Sequence, residues 1–234
     1  MPGARWTAVA LALAAFAGGC GGDDRPATDG ARLGEAAPKQ GATVVAALGD
    51  SITAGSPAWD PDPAVRRRIG VAADPESQYE YWAQLRLKRT RFRNCGVFGE
   101  RTDEIARRLE RCAKGADVLV IQGGINDIAQ MRDIGLAAAD LERMVRRGKT
   151  LGLRVALVEL LPWNNGYPAA DPSIHELNRL IGGIGREEDV PVFAWYRLLE
   201  DPDAPGRMRR EWTADGDHPS VEGYRRLAET IELP

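Results

Sequence analysis

The stretch that decides the fold is TVVAALGDS, residues 43–51. Its first six residues are apolar or β-branched and are bounded by a glycine, which is typical of a buried strand. Asp50 and Ser51 follow Gly49 directly, so the hydroxyl group comes where the strand ends. A serine in that place can be a nucleophile when a base activates it, but Gly-Asp-Ser is also typical of a turn or a helix cap. The stretch therefore predicts a strand and leaves the role of Ser51 open.

Outward from this stretch, short apolar segments alternate with amphipathic ones. We predict strands at 43–48, 90–94, 118–122, 155–160 and 190–194, and helices at 79–89, 102–113, 136–151, 172–186 and 221–231. Thr102 is the expected N-cap of its helix, and Gly182-Gly183 is expected to interrupt another. Strands that alternate with helices indicate right-handed crossovers and a parallel sheet covered on both faces. The predicted fold class is therefore α/β, a three-layer α/β/α sandwich with a central, mostly parallel sheet of about five strands.

Two loops after predicted strands carry groups suited to holding a negative charge. Ligands bind at the carboxyl ends of the strands in such sheets. Gly99 follows the second strand and could direct its backbone N–H at a developing oxyanion. Asn126 follows the third strand, and its amide could donate to the same oxyanion or instead cap the next helix.

The sequence DGDHP, residues 215–219, precedes the last predicted helix. Pro219 favours an extended conformation at His218. An aspartate three residues earlier can return across the turn to the imidazole and hold its tautomer, as the acid does in a Ser-His-Asp triad. We therefore expect Asp215, rather than the adjacent Asp217, to pair with His218.

Taken together, these blocks resemble the SGNH hydrolases, the GDSL-type lipases and esterases, over about residues 43–231. The matches are Gly49-Asp50-Ser51 to the GDS block (with Ile52 where Leu is usual), Gly99 to the oxyanion glycine, Gly124–Asp127 to the GxND block and Asp215–His218 to the DxxH block.

The resemblance implies an SGNH, flavodoxin-like fold and acyl transfer through an acyl-enzyme. In that mechanism His218, oriented by Asp215, takes the proton from Ser51, whose oxygen attacks the ester carbonyl. The oxyanion is held by the backbone N–H groups of Ser51 and Gly99 and by the side chain of Asn126. No metal and no organic cofactor is required.

The substrate pocket is less well defined by the sequence. We expect Asp50, Trp163 and Asn164 to contact the substrate; Trp163 could stack on a sugar, line an acyl pocket or only pack. The insertion at 56–78 could form another wall, although Arg66–Arg68 within it are more typical of a solvated surface. Small acyl esters are the first choice of substrate. The alternative substrate is O-acetyl groups on envelope or environmental polysaccharide. The alternative from another class of protein is a non-catalytic lipoprotein that only binds a surface.

The N-terminus is typical of export in bacteria. Residues 1–20 combine Arg5 with an apolar stretch too short to span a membrane, as in a signal peptide. Cys20 follows small residues as in a lipobox, although Ala17 stands where Leu is usual, so we expect lipidation of Cys20, with ordinary secretion as the alternative. Residues 21–41 then form a flexible linker, and 42–234 form the hydrolase domain. The expected location is extracytoplasmic, with the membrane as a partner through the lipid.

Cysteines and charge add two expectations. Once Cys20 is set aside, Cys95 and Cys112 remain, and outside the cytoplasm such a pair indicates a disulfide; two buried thiols are the alternative. The net charge of −3 and the pI near 5.6 give no general attraction to nucleic acid. We expect a monomer.

Overall fold

The computed structural model describes residues 41–55 and 74–234. The predicted signal peptide, Cys20 and Arg66–Arg68 lie outside these residues, as does the predicted linker except for Gly41. The strands are β1 Thr43–Gly49, β2 Thr90–Gly96, β3 Val118–Ile121, β4 Arg154–Val158, β5 Val192–Phe193, β6 Glu200–Asp201 and β7 Ala204–Met208. The α-helices are α1 Ser51–Ala54, α2 Tyr79–Arg86, α3 Thr102–Arg107, α4 Leu109–Ala113, α5 Ile125–Ala129, α6 Ile134–Thr150, α7 Asp171–Glu187, α8 Trp195–Leu199 and α9 Val221–Glu229. Short 3-10 helices lie at Pro75–Ser77 and Arg210–Trp212.

Five parallel strands form the central sheet in the order β2-β1-β3-β4-β5. Strand β1 lies between β2 and β3, with Gly49 opposite Gly96 and Leu48 opposite Ile121. The loops that follow these three strands therefore leave the same edge of the sheet side by side. The predicted α/β/α fold with a parallel five-stranded sheet is confirmed.

Both faces of the sheet are buried, which explains the unbroken apolar run in β1. Alternate residues of β1 point to opposite faces: Ala46 and Leu48 join one core cluster, whereas Val45 and Ala47 join the other. The first cluster includes side chains of α3, α4, α6 and α7, and the second includes side chains of α2, α8 and α9. The helices thus cover both faces of the sheet and leave its carboxyl edge as the rim that carries the loops.

The helix predicted at 102–113 is two short helices, α3 and α4, which meet at Arg108. Thr102 is the first residue of α3, not its N-cap, which is Arg101. The reason is that both the N–H and the hydroxyl of Thr102 donate to the carboxylate of Asp127 at 2.9 Å. A side chain of α5 thus accepts the hydrogen bond of an N–H group that the first turn of α3 leaves without a partner inside the helix.

Two further predictions were wrong in detail. Gly182-Gly183 does not interrupt α7, because the face that carries Ile181 and Ile184 remains packed in the core and a glycine costs only about 1 kcal/mol in a helix. Strand β5 has two residues instead of the predicted segment 190–194, because the N–H of Val190 donates to Gly185 at the end of α7. The β6–β7 hairpin was not predicted. Within the described ranges, no helix combines the length and apolarity needed to cross a membrane.

Candidate active site

A serine, a histidine and an aspartate meet at the carboxyl edge of the sheet. Ser51 is the first residue of α1, and only Asp50 separates it from the end of β1. Its Oγ lies 3.0 Å from His218 Nε2, and His218 Nδ1 lies 3.0 Å from Asp215 Oδ2. Both distances are within hydrogen-bond reach, as a nucleophile, its base and the group that orients the base require.

The turn before α9 keeps the carboxylate of Asp215 ionised. Asp215 Oδ1 accepts hydrogen bonds from the backbone N–H of Asp217 at 2.9 Å and of His218 at 2.8 Å. Partial burial by itself would raise the pKa of Asp215, but these bonds and the imidazole outweigh it and lower that pKa. An ionised carboxylate on Nδ1 is the form that can stabilise an imidazolium. Asp217 faces elsewhere and accepts from Trp163 Nε1 at 2.5 Å.

The loops after β2 and β3 meet beside Ser51. Gly99 has φ +76°, a conformation that side chains rarely adopt, and its carbonyl accepts from Gln130 Nε2 at 3.0 Å. Asn126 Nδ2 donates to the carbonyl of Glu100 at 3.0 Å. Asn126 lies inside α5, whose N-cap is Gly124, so the capping alternative is wrong. The amide nitrogen of Asn126 carries a second hydrogen that a substrate oxygen could accept.

One arginine that the sequence analysis did not single out holds the Gly99 loop. Arg108 Nη2 donates to Glu100 Oε2 at 2.6 Å and to the carbonyl of Gly49 at 3.1 Å. Its Nη1 donates to the carbonyl of Cys95 at 2.7 Å. The guanidinium therefore joins the ends of β1 and β2 to the loop that carries Gly99. Arg108 lies at the break between α3 and α4. The sequence predicts one continuous helix there, so it does not indicate the role of Arg108.

A disulfide joins Cys95 to Cys112, with the Cα atoms 6.1 Å apart. The bridge fastens the end of β2 to α4, next to the contacts of Arg108. The predicted pairing is thus present, and the alternative of two buried thiols is wrong.

A buried ionic network lies behind Asn126. Asp127 is fully buried and accepts from Arg132 Nη1 at 2.5 Å in addition to its two bonds from Thr102. Arg132 also donates to the buried Asp140 at 2.6 Å. A buried carboxylate is costly unless it is paired and hydrogen-bonded, and this network supplies Asp127 with those partners. Arg132 and Asp140 carried no sequence signal.

Two residues predicted to contact substrate have other partners. Asp50 is fully buried, its Oδ1 accepts from Ile52 N at 2.9 Å, and its burial raises its pKa to about 6. Asn164 donates to the carbonyl of Met208 at 3.0 Å and accepts from the N–H of Met208 at 2.6 Å. Asp50 thus caps α1 behind the serine, and Asn164 fastens its loop to β7. Substrate contact by either side chain stays a prediction.

Trp163, the third residue predicted to contact substrate, lines a small cavity at the rim of the sheet. The cavity has a volume of about 10 Å³. Its lining residues are Ile52, Gln122, Ile125, Glu159, Leu160, Leu161, Pro162, Trp163 and Asp217. Three of them are chain neighbours of Ser51, Asn126 and His218.

Asp215, Asp217 and His218 offer oxygen and nitrogen atoms within 4.8 Å of one another, a spacing that could suit a metal ion. These side chains already bond to one another, to Ser51 and to Trp163. Acidic groups at a surface commonly lie this close without an ion, so the geometry gives no reason to assign one.

The comparison with protein families decides the affiliation. The model of the GDSL-like Lipase/Acylhydrolase family matches residues 47–226, which contain all four sequence blocks.

The chain belongs to the GDSL-like lipase/acylhydrolase family. Solved structures agree with this family's fold. A lipolytic protein of the G-D-S-L family from Veillonella parvula is 20% identical with a TM-score of 0.67, covering 81% of this chain and 96% of its own. The lipase/acylhydrolase from Enterococcus faecalis is 24% identical with a TM-score of 0.63, covering 81% and 92%. An acetyl xylan esterase is 19% identical with a TM-score of 0.61, covering 80% and 96%. No curated protein matches.

Membership of the GDSL-like family confirms the resemblance on which the sequence analysis relied. It indicates a hydrolase that acts on esters, and the described fold is that of the family's solved members.

Proposed function

We propose that the protein is a serine ester hydrolase in which Ser51 is the nucleophile, His218 the general base and Asp215 the residue that orients His218. The observation that carries this proposal is the continuous chain of hydrogen bonds from Ser51 Oγ through the imidazole to Asp215, with 3.0 Å at each step. The two flanking loops bring Gly99 and Asn126 to the same rim.

The reaction has two halves. In the first, His218 Nε2 takes the proton from Ser51 Oγ while the oxygen attacks the ester carbonyl, and Asp215 stabilises the imidazolium that forms. The tetrahedral intermediate collapses, the bond from carbon to the alcohol oxygen breaks, and His218 gives its proton to the departing alcohol. In the second half, His218 takes a proton from water, the hydroxide attacks the acyl-enzyme, and Ser51 leaves with that proton.

The oxyanion of each intermediate would accept hydrogen bonds from the backbone N–H of Ser51, from the backbone N–H of Gly99 and from the amide of Asn126. Fixed donors of this kind contribute a few kcal/mol each, typically about 3–4. Arg108 and the Asp127 network act indirectly, because they hold the loops that carry these donors.

Small acyl esters are the proposed substrates. The sequence supports this choice, because no lipase-like lid and no large apolar segment is visible in it. A carbohydrate O-acetylesterase is the second candidate, because O-acetyl groups are small acyl esters and one solved structure of similar fold is an acetyl xylan esterase. A non-catalytic lipoprotein would explain neither the hydrogen-bonded triad nor the two loops beside it.

We also propose that the protein acts outside the cytoplasm, anchored through a lipidated Cys20. The predicted signal peptide supports export, and the Cys95–Cys112 disulfide is typical of oxidising compartments. The mass of the mature N-terminal peptide tests the anchor: an acylated Cys20 is expected, and an unmodified N-terminus beyond Cys20 would contradict it.

The nucleophile is tested by Ser51→Ala, with Ser173→Ala on α7 as the control. We expect Ser51→Ala to abolish hydrolysis of p-nitrophenyl acetate, and a fluorophosphonate to label the wild-type peptide that contains Ser51. Ser173→Ala should retain both properties. Unchanged hydrolysis by a folded Ser51→Ala variant would overturn the assignment.

A further inference from the structure

The turn before α9 is closed by a short antiparallel pairing of the chain on its two sides. The backbone N–H of Ala214 donates to the carbonyl of His218 at 2.9 Å. Thr213, the residue before Ala214, forms an isolated antiparallel β-bridge with Pro219, the residue after His218. The two ends of the turn are therefore neighbours, and Thr213 lies at its base, within reach of the groups inside it.

The hydroxyl of Thr213 bonds to the turn at two points. Its Oγ1 donates to the carbonyl of His218 at 2.9 Å and accepts from the backbone N–H of Gly216 at 2.8 Å. A hydroxyl has one proton to donate and lone pairs that accept, so the two bonds can exist together. One side chain thus fastens both His218 and the residue that follows Asp215.

The bond from Thr213 completes the restraint of the His218 backbone. The N–H of His218 donates to Asp215 Oδ1 at 2.8 Å, and its carbonyl accepts from Ala214 and from Thr213. The chain is therefore fixed on both sides of the His218 Cα. The imidazole can then move only about its two side-chain torsions, and its bonds to Asp215 and Ser51 define these.

A separate loop holds the aspartate end of the turn. The backbone N–H of Asn164 donates to the carbonyl of Gly216 at 2.9 Å. The side chain of Asn165 donates to the carbonyl of Asp215 at 3.0 Å. Neither of these two bonds involves the histidine end, which Thr213 fastens, so they would not compensate for loss of the Thr213 hydroxyl.

We propose that Thr213 is a positioning residue, whose hydroxyl sets the place of the His218 backbone and thereby the distance from His218 Nε2 to Ser51 Oγ. This inference rests on the proposed function and adds a residue to its machinery. Direct proton transfer requires a separation of about 2.6–3.2 Å, and the two atoms lie 3.0 Å apart. A displacement of about 1 Å would take them out of this range, and an error of that size can cost about 10²-fold in rate.

The test compares Thr213→Val, which keeps the branched shape without the hydroxyl, with Thr213→Ser, which keeps the hydroxyl. We expect Thr213→Val to lower kcat for p-nitrophenyl acetate by about 10- to 100-fold. KM should change little, because His218 moves protons in both halves of the reaction and takes no part in binding. Thr213→Ser should retain most of the wild-type kcat.

Thr150→Val is the matched control. The Thr150 hydroxyl also donates to a backbone carbonyl, that of Arg146 at 2.9 Å, but it lies at the exposed end of α6. This variant loses the same kind of bond away from the triad, so we expect it to keep the wild-type kcat and KM.

Each other outcome has a distinct meaning. A folded Thr213→Val variant with the wild-type kcat would overturn the inference and leave the proposed function intact. So would a loss confined to KM, or equal losses for Thr213→Val and Thr213→Ser, because the hydroxyl would then not be the group that matters. A wild type that hydrolyses no ester, and that a fluorophosphonate does not label at Ser51, would overturn the proposed function and the inference with it.

Circular dichroism verifies that each variant is folded. If Thr213→Val does not fold, Thr213→Ala takes its place with the same expected loss in kcat. Failure of both hydroxyl-free variants to fold would assign the hydroxyl of Thr213 to stability and overturn its role in positioning His218.

Discussion

His218 Nε2 lies 3.0 Å from Ser51 Oγ, although the two residues are 167 positions apart in the chain. The parallel sheet accounts for this proximity, because Ser51 follows a central strand and His218 precedes α9, whose side chains share a core cluster with that strand. In the proposed mechanism, Asp215 keeps the imidazole of His218 in the correct tautomer.

Replacing Asp215 with Asn should therefore lower kcat by about 10²- to 10⁴-fold, because an amide cannot stabilise the imidazolium and can favour the wrong tautomer. Steady-state kinetics on p-nitrophenyl acetate would measure this loss. The matched variant is Asp217→Asn, which retains an oxygen for Trp163 Nε1 and should lose much less. A larger loss for Asp217→Asn would reverse the assignment of the two acids.

Arg108→Met should lower kcat with little change in KM, because it releases Glu100 and the carbonyls of Gly49 and Cys95. Misplacement of a donor loop by about 1 Å can cost about 10²-fold. Arg107→Met is the control, since its side chain is 72% exposed and pairs with Asp103. Equal kinetics for the two variants would show that Arg108 does not position the Gly99 loop.

Asp50→Asn should change how stability depends on pH. Burial raises the pKa of Asp50 from 3.8 to about 6, so its favourable contribution to stability is complete below about pH 4 and is lost as the pH rises through about 6. The difference between the two pKa values corresponds to roughly 3 kcal/mol.

Chemical unfolding of both proteins at several pH values would test this. The free energy of unfolding of Asp50→Asn relative to wild type should rise between about pH 4 and pH 7. The contributions of Glu80, whose pKa burial also raises, and of Asp215, whose pKa is lowered, are common to both proteins and cancel in the difference. A difference independent of pH would show that Asp50 is not the titrating group.

Removal of the disulfide by Cys95→Ala with Cys112→Ala should lower the free energy of unfolding by about 3 kcal/mol, the loop-closure value for a separation of this length. Denaturant titration measures the loss. Reduction of the wild type should reproduce it, whereas reduction of the double variant should have no further effect. Free thiols at both positions in unreduced protein would disprove the bridge.

The strands and the four sequence blocks were predictable because each depends on local pattern. The apolar run at 43–48 and the alternation of elements were enough to predict the parallel sheet. The proximity of Ser51 and His218 followed only from the family resemblance, since no local rule joins positions so far apart.

The misses have a common physical cause, which is competition from distant partners. Asp127 accepts the hydrogen bonds of the N–H and hydroxyl of Thr102, and the core cluster keeps α7 intact through Gly182-Gly183. The contacts of Arg108 are of the same type. Such partners are far away in the chain, so neither propensity nor periodicity reports them.

The contacts from residues 163–165 to residues 215–217 also limit how the enzyme could be redesigned. Asn164 and Asn165 bond to the carbonyls of Gly216 and Asp215, and Trp163 bonds to Asp217. A graft of either segment alone from another esterase would transfer the side chains without their support. Exchange of this part of the rim would therefore require both segments as one cassette, so that the tryptophan and the histidine turn arrive already matched.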